Sequence, residues 1–338
     1  MKLPADLVAS LRPSYEGRRV CVTGGAGFIG GHTVDAIMSL GAAVTVIDDL
    51  SSSTSQHIAD LIDLDPERIR FVHGSILDRS AMSLAIDRAD IVIHLAAIGS
   101  VPRSVADPLR TVAVNIDGTV AVLEAARAAK VRKFVFASSS SVYGGEGALG
   151  VARVEGMAVR SLSPYAASKA AGEALVSAWS SSYAMPAVCL RYFNVFGPRQ
   201  PADSAYAAVI PAFLRSMLGS RPPVIFGDGA ASRDFTFVSN AVAANLLAGV
   251  SRADLHGQAV NIGSGRAITV NQLASALASM CGMTHLHPRH EPARAGDVPH
   301  SLADITLAKG LLGYVPVTEF EKGLEETIAA YRKSLAAV

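Results

Sequence analysis

Short apolar runs rich in Val and Ile alternate with longer helical stretches through the N-terminal part of the chain. The runs lack the alternation of apolar and polar residues that marks a strand with one wet face, so we expect strands buried on both faces. Strands of this kind with helices between them predict βαβ units and a parallel sheet. The predicted strands are Val20–Thr23, Val44–Ile47, Ile69–Val72, Ile91–His94, Lys133–Ala137, Ala187–Tyr192 and Val260–Ile262. The predicted helices are Gly31–Leu40, Ser80–Asp87, Val105–Ala129 and Tyr165–Tyr183.

The pattern changes from about Asn194 onward, where Gly and Pro become denser. Three helices are still predicted there, over Val209–Leu218, Asn271–Met280 and Phe320–Leu335. We expect this part to form a smaller lobe that closes over the carboxyl edge of the sheet. The chain is therefore predicted to have an α/β fold, with a doubly wound parallel sheet and a smaller C-terminal lobe.

Composition narrows the functional classes. The chain has 338 residues, 50% of them hydrophobic, and a formal net charge of +1. That balance, without a long basic run, gives no electrostatic footprint for nucleic acid. No apolar run is long enough to cross a membrane, and the N-terminus lacks the apolar centre of a signal peptide. We therefore expect a cytoplasmic protein that binds neither nucleic acid nor membrane.

The cysteines carry no sign of redox or metal chemistry. Cys21, Cys189 and Cys281 are widely spaced, and the first two fall in predicted buried strands. We interpret them as core residues in a reducing compartment. Because no spacing typical of metal ligands occurs, no metal site is predicted.

The segment between the first predicted strand and the first predicted helix is rich in glycine, and reads Thr-Gly-Gly-Ala-Gly-Phe-Ile-Gly at residues 23–30. Side chains at Gly24 and Gly27 would block a close approach of the backbone to a ligand, and Gly30 lets the helix pack on the sheet. The amides at the helix start would then face a pyrophosphate, assisted by the helix dipole. A glycine-rich turn that binds nothing is the alternative.

The second predicted strand ends in Asp48, about twenty residues further on, as in a dinucleotide-binding fingerprint. A carboxylate there accepts hydrogen bonds from a ribose diol and repels a 2′-phosphate. No Arg or Lys follows within residues 49–53, so NAD is favoured over NADP. The sheet is thus predicted to be Rossmann-type, with residues 18–193 and about 235–262 in the NAD-binding domain and residues 194–234 and about 263–338 in the lobe. Residues 1–17 are expected to form an N-terminal extension, a short helix on the edge of the sheet.

A tyrosine and a lysine four residues apart open the last predicted helix of the first domain. Tyr165 and Lys169 share a helix face, so the ammonium can lie near the phenol. A free tyrosine has a pKa of about 10, which makes it a poor base at neutral pH. A nearby lysine and the positive nicotinamide of NAD would both favour the phenolate. Tyr165 is therefore a candidate general base for a sugar hydroxyl, and a surface Tyr–Lys pair is the alternative.

Four serines, at 138–141, follow the strand Lys133–Ala137. Hydroxyls at the carboxyl end of a central strand lie at the ligand crevice of an open parallel sheet, where one could hold a substrate hydroxyl beside Tyr165. A polar turn whose serines cap backbone groups is the alternative. The residues alone do not choose among the four.

Taken together, these motifs resemble the extended short-chain dehydrogenase/reductase family, and within it the nucleotide-sugar 4-epimerases. The resemblance extends from Val20 to about Leu312. Besides the glycine segment and the Tyr–Lys pair, it rests on His-Leu-Ala-Ala at 94–97, Asn-Ile-Asp-Gly-Thr at 115–119, Ser-Ser-Val-Tyr-Gly at 140–144, Arg-Tyr-Phe-Asn-Val-Phe-Gly-Pro-Arg at 191–199, Arg-Asp-Phe at 233–235 and Arg-Ala-Gly-Asp at 294–297.

The resemblance implies a catalytic set of Ser139, Tyr165 and Lys169. Tyr165 would take the proton of the sugar 4-hydroxyl while a hydride leaves carbon 4 for NAD. The 4-keto sugar would then turn over in the pocket and receive the hydride on its other face. Lys169 would also hold the nicotinamide ribose.

The resemblance also implies a cofactor site. It assigns the pyrophosphate, ribose, adenine and nicotinamide contacts to Gly24, Gly27, Phe28, Ile29, Gly30, Asp48, Asp49, Ile76, Leu95, Ala96, Ala97, Asn115, Tyr165, Lys169 and Tyr192. For the alanines and the neighbouring Phe193, plain core packing is the alternative. The family often has Asp after the glycine of the third strand to contact adenine, whereas this chain has Ser75, so we expect a weaker or backbone-only adenine contact.

A uridine diphosphate sugar is the implied substrate. The resemblance places Asn194, Arg233 and Arg294 at the diphosphate positions of the family, and Asp297 at a nucleoside position. The guanidinium groups of the two arginines would fit phosphate oxygens. Surface residues are the alternative for any single arginine. The implied substrate-binding set is Ser100, Arg103, Ser139, Ser140, Asn194, Val209, Val224, Phe226, Arg233, Arg294, Asp297 and Ser301.

The residues at positions 140 and 141 distinguish the reactions that members of the family catalyse, and here both are serine. Its sugar 4,6-dehydratases place Asp-Glu at these positions as an acid and a base for loss of water, and its decarboxylases usually keep the Glu. An epimerase needs neither carboxylate, so we predict epimerisation.

The sugar is less closely specified. In hexose epimerases of the family a Tyr walls the sugar pocket at the position of Ser301, and the smaller serine leaves room for an N-acetyl group. We therefore expect UDP-GlcNAc and UDP-GalNAc as substrates, with UDP-glucose and UDP-galactose also possible. A UDP-glucuronate 4-epimerase is the first alternative, in which Arg103 or Arg199 meets the carboxylate unless it is structural. A nucleotide-sugar 4-keto reductase and a non-catalytic NAD-binding sensor are the others.

A homodimer is also predicted. The helices Val105–Ala129 and Tyr165–Tyr183 have apolar and small residues on more than one face, and in the family these helices pair across a twofold axis. Helices buried within one subunit would give the same pattern.

Overall fold

A computed structural model describes residues 3–145, 150–201, 208–293 and 298–336 of the chain. Its centre is a sheet of seven parallel strands: β1 (Arg19–Thr23), β2 (Ala43–Asp48), β3 (Ile69–His73), β4 (Ile91–His94), β5 (Lys133–Ser139), β6 (Ala187–Tyr192) and β11 (His256–Ile262). Within the sheet the strands lie in the order β11-β6-β5-β4-β1-β2-β3. The Rossmann-type fold and all seven predicted strands are confirmed.

The helices between these strands cover both faces of the sheet. They are α1 (Ala5–Tyr15), α2 (Phe28–Ser39), α3 (Gln56–Leu64), α4 (Arg79–Ile86), α5 (Val101–Ala106), α6 (Pro108–Val112), α7 (Gly118–Ala128), α8 (Pro164–Tyr183) and α10 (Val238–Val250). Consecutive residues of a strand therefore enter different cores. Val20 and Val22 pack in the core that contains α2 and α10, whereas Cys21 between them packs in the core that contains α4, α7 and α8.

The single helix predicted over Val105–Ala129 is wrong in one respect, because the helix is interrupted at Asp107; from Pro108 to Ala128 the backbone stays helical, with a π-helical stretch at Ala113–Asp117. Asp107 ends α5, and its carboxylate accepts a hydrogen bond from the backbone N–H of Arg110 at the start of α6. Pro108 stands at the first position of α6, where its missing N–H costs nothing. A wider turn, Ala113–Asp117, then joins α6 to α7 and contains Asn115.

The remaining elements belong mainly to the part predicted as the smaller lobe. They are β7 (Val195–Phe196), α9 (Val209–Leu218), β8 (Val224–Phe226), β9 (Ser232–Asp234), β10 (Thr236–Phe237), β12 (Ala267–Thr269), α11 (Val270–Cys281), β13 (Arg289–Glu291), α12 (Thr306–Leu312) and α13 (Phe320–Ala336). Each of the short strands pairs with one other: β7 with β10, β8 with β13 and β9 with β12. The boundaries of the two domains stay a prediction.

The N-terminal helix is formed as predicted, but it does not lie on an edge of the sheet. The edge strands are β3 and β11, whereas α1 packs against α10 on one face. The side chain of Tyr15 is fully buried, and its hydroxyl donates a hydrogen bond of 2.9 Å to the carbonyl oxygen of Leu246 on α10. The helix α10 itself was not predicted, because it is apolar on nearly every side and shows no amphipathic period.

Aromatic packing joins the sheet core to the C-terminal helices. The ring of Phe196 lies 5.5 Å from that of Phe237 and 5.7 Å from that of Phe320, between ring centroids. These residues belong to the same continuous core as the strands β1, β2 and β4. Among the described helices, none combines the length and the apolar character needed to span a membrane.

Candidate active site

The glycine-rich segment lies where the strand order reverses. β1 pairs with both β2 and β4, and ligands of such sheets bind at the carboxyl ends beside this switch point. Gly24 has φ of +69°, and a Cβ on it would lie 2.7 Å from the backbone nitrogen of Ala96. A Cβ on Gly30 would overlap the carbonyl oxygen of Gly24. The bend is therefore pressed against the loop after β4 and has no room for a side chain at either position.

One cavity of about 370 Å³ opens at this edge of the sheet, a size typical of small-molecule sites. The structure brings together around it every predicted cofactor-binding residue except Asn115, and also Ser100 and Arg103. Those lining residues are Gly24, Gly27, Phe28, Ile29, Gly30, Asp48, Asp49, Ile76, Leu95, Ala96, Ala97, Tyr165, Lys169 and Tyr192. Their individual contacts with NAD stay predictions.

The helix start beside this cavity fits a pyrophosphate. Gly27 is the residue before α2, and no described side chain caps the first turn of the helix. That first turn contains no acidic residue that would compete with an anion for the amides. The backbone N–H groups of Phe28 and Ile29 therefore suit phosphate oxygens.

Beside the glycine bend, the Asp48 carboxylate is already well bonded. It accepts hydrogen bonds from the backbone N–H groups of Ala26 at 3.1 Å and Leu50 at 2.9 Å, and from the hydroxyl of Ser53 at 3.2 Å. Burial raises the pKa of Asp48, and these hydrogen bonds oppose that rise. The carboxylate stays partly exposed to the cavity, as contact with a ribose diol would require.

Asn115 lies behind the cavity wall. Its side-chain oxygen accepts a hydrogen bond of 2.8 Å from the backbone N–H of Ile98, and its amide nitrogen donates one of 2.9 Å to the hydroxyl of Ser168. It thereby ties the loop after β4 to α8. Asn115 therefore supports the wall of the cavity from behind and is not among the residues that line it.

Tyr165, Lys169 and Ser139 meet where β5 ends against α8. The Ser139 hydroxyl is a hydrogen-bond partner of the Tyr165 phenol. The Lys169 ammonium is buried, lies 6.0 Å from the centroid of the Tyr165 ring and donates a hydrogen bond of 2.8 Å to the carbonyl oxygen of Ala137. Both Tyr165 and Lys169 line the cavity, so a sugar hydroxyl there could reach the phenol.

The electrostatics of this corner differ from our expectation that Lys169 lowers the pKa of Tyr165. Burial raises the pKa of Tyr165, and the hydrogen bond with Ser139 only partly opposes it. The ammonium is directed to Ala137, which weakens its effect on the phenol. Burial also lowers the pKa of Lys169 to about 8, against the opposing effect of Glu173. In the chain alone, desolvation therefore outweighs the lysine, and the phenol is the favoured form at neutral pH.

The structure separates the four serines. Ser138 is buried and its hydroxyl donates to Glu173, whereas Ser139 faces Tyr165. Ser140 and Ser141 begin a short turn, in which the backbone N–H of Ser141 donates to the Ser139 hydroxyl at 3.2 Å. The hydroxyl of Ser141 is buried without a hydrogen-bond partner.

Most of the predicted substrate residues do not line this cavity. Val224 and Phe226 lie on β8, Arg233 on β9, Val209 at the start of α9, Asn194 between β6 and β7, and Ser301 in the buried segment beside β9. The guanidinium of Arg233 donates to the carbonyl oxygens of Ser232 and Pro299. Arg294 and Asp297 lie outside the described residues.

Two arginines show what the sequence reasoning missed or left open. Arg110 lines the cavity although it was not predicted to, and the Asp-Pro break before it is the signal that places it in a first helical turn. Arg199 pairs instead with Asp35 of α2 at 2.8 Å and with His32, which favours a structural role.

Among the described residues, no group of three or more His, Cys, Asp or Glu side chains comes together to hold a metal.

Comparison with known proteins gives one consistent family. The model of the NAD dependent epimerase/dehydratase family matches residues 20–263. A UDP-glucose 4-epimerase of Mycolicibacterium smegmatis is 37% identical over 316 residues, which cover 93% of this chain and 98% of that protein.

Solved structures of nucleotide-sugar epimerases are also similar to this chain. The UDP-N-acetylglucosamine 4-epimerase of Methanobrevibacter ruminantium, in complex with UDP-N-acetylmuramic acid, is 36% identical with a TM-score of 0.87 and covers 94% of this chain and 99% of its own. The UDP-glucuronic acid 4-epimerase of Bacillus cereus, with UDP-glucuronic acid and NAD, is 32% identical with a TM-score of 0.85 and the same coverage of 94% and 99%.

Proposed function

This chain belongs to the NAD-dependent epimerase/dehydratase family, and we propose that it is a 4-epimerase of UDP-GlcNAc and UDP-GalNAc. Membership confirms the predicted family, enzyme class and NAD cofactor. The reaction and the sugar within the family rest on the residues of the site.

One observation carries the choice of reaction. Tyr165 and Lys169 line the same cavity as the glycine bend, while the carboxylates among its described lining residues, Asp48 and Asp49, lie after β2. Loss of water would need an acid and a base at the sugar. Ser140 and Ser141 stand where the dehydratases of the family have Asp-Glu, so this chain offers a proton acceptor for one hydroxyl and no carboxylate pair for elimination.

The residues of this chain then have distinct tasks. Tyr165 accepts the proton of the 4-hydroxyl, and Ser139 orients that hydroxyl through its bond to the phenol. Lys169 supplies positive charge behind the phenol and holds the ribose of the cofactor. NAD, held by the residues that line the cavity, would supply a hydride acceptor for carbon 4 and a positive charge that offsets the burial of Tyr165.

Ser301 supports the choice of an N-acetylated sugar. It is buried next to β9, and its backbone N–H donates a hydrogen bond of 3.0 Å to the carbonyl oxygen of Ser232. The resemblance places a tyrosine of the hexose epimerases at this position, so the short serine side chain leaves volume for an acetyl group. The similar UDP-N-acetylglucosamine 4-epimerase of known structure agrees with this choice.

A UDP-glucuronate 4-epimerase is the second candidate. Arg103 lines the cavity, where a guanidinium could pair with a uronate carboxylate. The structural similarity to a UDP-glucuronic acid 4-epimerase also favours it. A nucleotide-sugar 4-keto reductase is left as a further alternative that the same experiment distinguishes.

The test is a substrate panel on purified protein with no added cofactor. UDP-GlcNAc, UDP-glucose and UDP-glucuronate, with their 4-epimers, are incubated separately and the products resolved by NMR. We expect interconversion of the N-acetylated pair to be fastest. Fastest turnover of UDP-glucuronate would favour the second candidate. No interconversion of any pair would overturn epimerisation, and conversion of a 4-hydroxyl to a 4-ketone with equimolar reduction of added NAD would indicate the reductase.

We also propose a homodimer through α5, α6 and α8. Val105 and Leu109 are 63% and 83% exposed, and both belong to helices that pack against α8. Exposed apolar side chains on two adjacent helices fit a contact with a second copy of the chain. Leu109→Glu should shift sedimentation toward a monomer, with Leu64→Glu on α3 as the matched exposed control. A monomeric native chain would remove this proposal.

A further inference from the structure

Glu173 on α8 forms a buried polar cluster behind the candidate active site. Its carboxylate accepts two hydrogen bonds from the Arg191 guanidinium, from Nε at 2.8 Å and from Nη2 at 2.7 Å. The two side chains are only 11% and 5% exposed. The Ser138 hydroxyl donates to the same carboxylate at 2.5 Å. A charged pair this far from solvent is costly unless its hydrogen bonds are complete, as they are here.

This cluster continues a pattern of contacts between α8 and β5. Three residues four apart on the helix share one face: Tyr165, Lys169 and Glu173. Their partners are three consecutive residues at the end of β5: Tyr165 is hydrogen-bonded to Ser139, Lys169 to Ala137 and Glu173 to Ser138. The position of Ser139 opposite the phenol therefore depends on all three contacts.

Several titratable groups face Lys169 in this cluster. Tyr165 and Glu173 face Lys169 from its own helix, Cys189 faces it from β6 and His94 faces it from β4. Burial lowers the pKa of His94 to about 3, so that group is neutral, and burial raises the pKa of Cys189. Glu173 is consequently the one anion among these named neighbours. Its carboxylate pairs with Arg191, and it stands four residues from Lys169 on the same face of α8.

We propose that Glu173 is a positioning residue that holds the end of β5 against α8 through Ser138 and Arg191, and that it is the anion that faces the Lys169 ammonium from one turn further along α8. This inference rests on the proposed epimerase function for its effect on turnover. Its effect on Lys169 is a property of the chain itself and can be measured without turnover.

The sign of the effect follows from the charges. Burial lowers the pKa of Lys169 to about 8, and Glu173 works in the opposite direction. Glu173→Gln removes the negative charge and keeps an oxygen that can accept from Ser138. We expect Lys169 to titrate about 1 pH unit lower, at the small end of the effect of a close opposite charge. The alkaline limb of kcat should move to lower pH by the same amount.

The experiment measures both quantities on the purified protein. The ¹³Cε resonance of Lys169, assigned by its loss in Lys169→Met, is followed against pH in the native chain and in Glu173→Gln. Profiles of kcat against pH are recorded on the same samples. Glu325→Gln is the matched control, because Glu325 pairs with Lys322 on α13, away from α8, and its side chain is 57% exposed.

Ser138→Ala separates position from charge, and it leaves the ion pair with Arg191 in place. We expect kcat to fall about 10-fold, as for the loss of one buried hydrogen bond of about 1.4 kcal/mol, while Lys169 titrates as in the native chain. Native kcat in Ser138→Ala overturns the positioning argument, even if Glu173→Gln fails to fold.

An unchanged Lys169 titration in Glu173→Gln overturns the charge argument. If the native protein interconverts no UDP-sugar, the proposed function fails, and the Lys169 titration still decides whether Glu173 sets its charge.

Discussion

The cofactor side and the substrate side of the molecule are held by different kinds of structure. On the cofactor side, the residues after β1, β2, β4 and β5 lie at one edge of a parallel sheet and converge on one cavity. On the substrate side, the described residues predicted in the lobe lie on three-residue strands, at the start of α9 and on segments between elements, and they are absent from that cavity's described lining. A sheet edge fixes many residues at once, whereas each residue of a lobe built from loops depends on its own distant contacts.

The largest expected effect tests the cofactor side at its reactive end. Tyr165→Phe removes the only proposed proton acceptor, so kcat should fall by about 10²–10⁴-fold while NAD stays bound. Turnover of UDP-GlcNAc gives the rate, and release of NAD on denaturation gives the occupancy. Tyr183→Phe, on the same helix but 51% exposed, is the control. A loss of only a few-fold would remove Tyr165 as the base.

The next effect tests the same side at the ribose. Asp48→Asn removes the charge that pairs with the diol and weakens the contacts with Ala26 and Leu50. NAD should bind about 10–100-fold more weakly, in keeping with about 1.5–3 kcal/mol for a hydrogen bond to a charged group. Calorimetry on the NAD-free chain measures this, with the exposed Asp63→Asn as control. Unaltered affinity would place the ribose elsewhere.

A smaller and selective effect is expected on the substrate side. Ser301→Tyr should lower kcat/KM for UDP-GlcNAc about 10-fold more than for UDP-glucose, because the ring fills the volume meant for the acetyl group. Competition between the two sugars in one reaction measures this ratio directly. Ser301→Ala keeps the volume and should keep the ratio. An equal loss for both sugars would show that Ser301 does not wall the sugar pocket.

The smallest effect separates stability from function on the cofactor side. Tyr15→Phe removes the buried hydrogen bond to Leu246 and should lower the free energy of unfolding by about 1 kcal/mol. Chemical denaturation measures it, and epimerase activity should be unchanged. A loss of activity in the folded variant would mean that α1 reaches the site through α10.

The predicted cofactor residues come together at one cavity because the signals that predict them are local. The glycines of the bend, the strand before it and Asp48 at the end of the next strand all lie within one βαβ unit, and backbone geometry leaves no room for a side chain at Gly24 or Gly30. The break between α5 and α6 had a local signal too, since Pro108 follows an Asp that can cap a helix.

Other features have no local signal. The helix α10 is apolar all round because it is buried between α2, α1 and the sheet, and only the tertiary structure reveals that. The pKa of Tyr165 depends on how deeply β5 and α8 bury it, which residue spacing cannot give. Ser301 lies beside Ser232 through contacts between distant parts of the chain, so its relation to the sugar is an inference from resemblance.

The position of β11 has a consequence for how this protein is made. The strand His256–Ile262 completes the sheet beside β6, yet it leaves the ribosome only after the short strands β7 to β10 and the helices α9 and α10. Until then the nascent chain presents one side of β6, whose six residues are all buried in the finished fold, as an unpaired edge. We therefore expect a stop codon between Tyr192 and His256 to yield a fragment that aggregates, even though the complete dinucleotide-binding motif has already been synthesised.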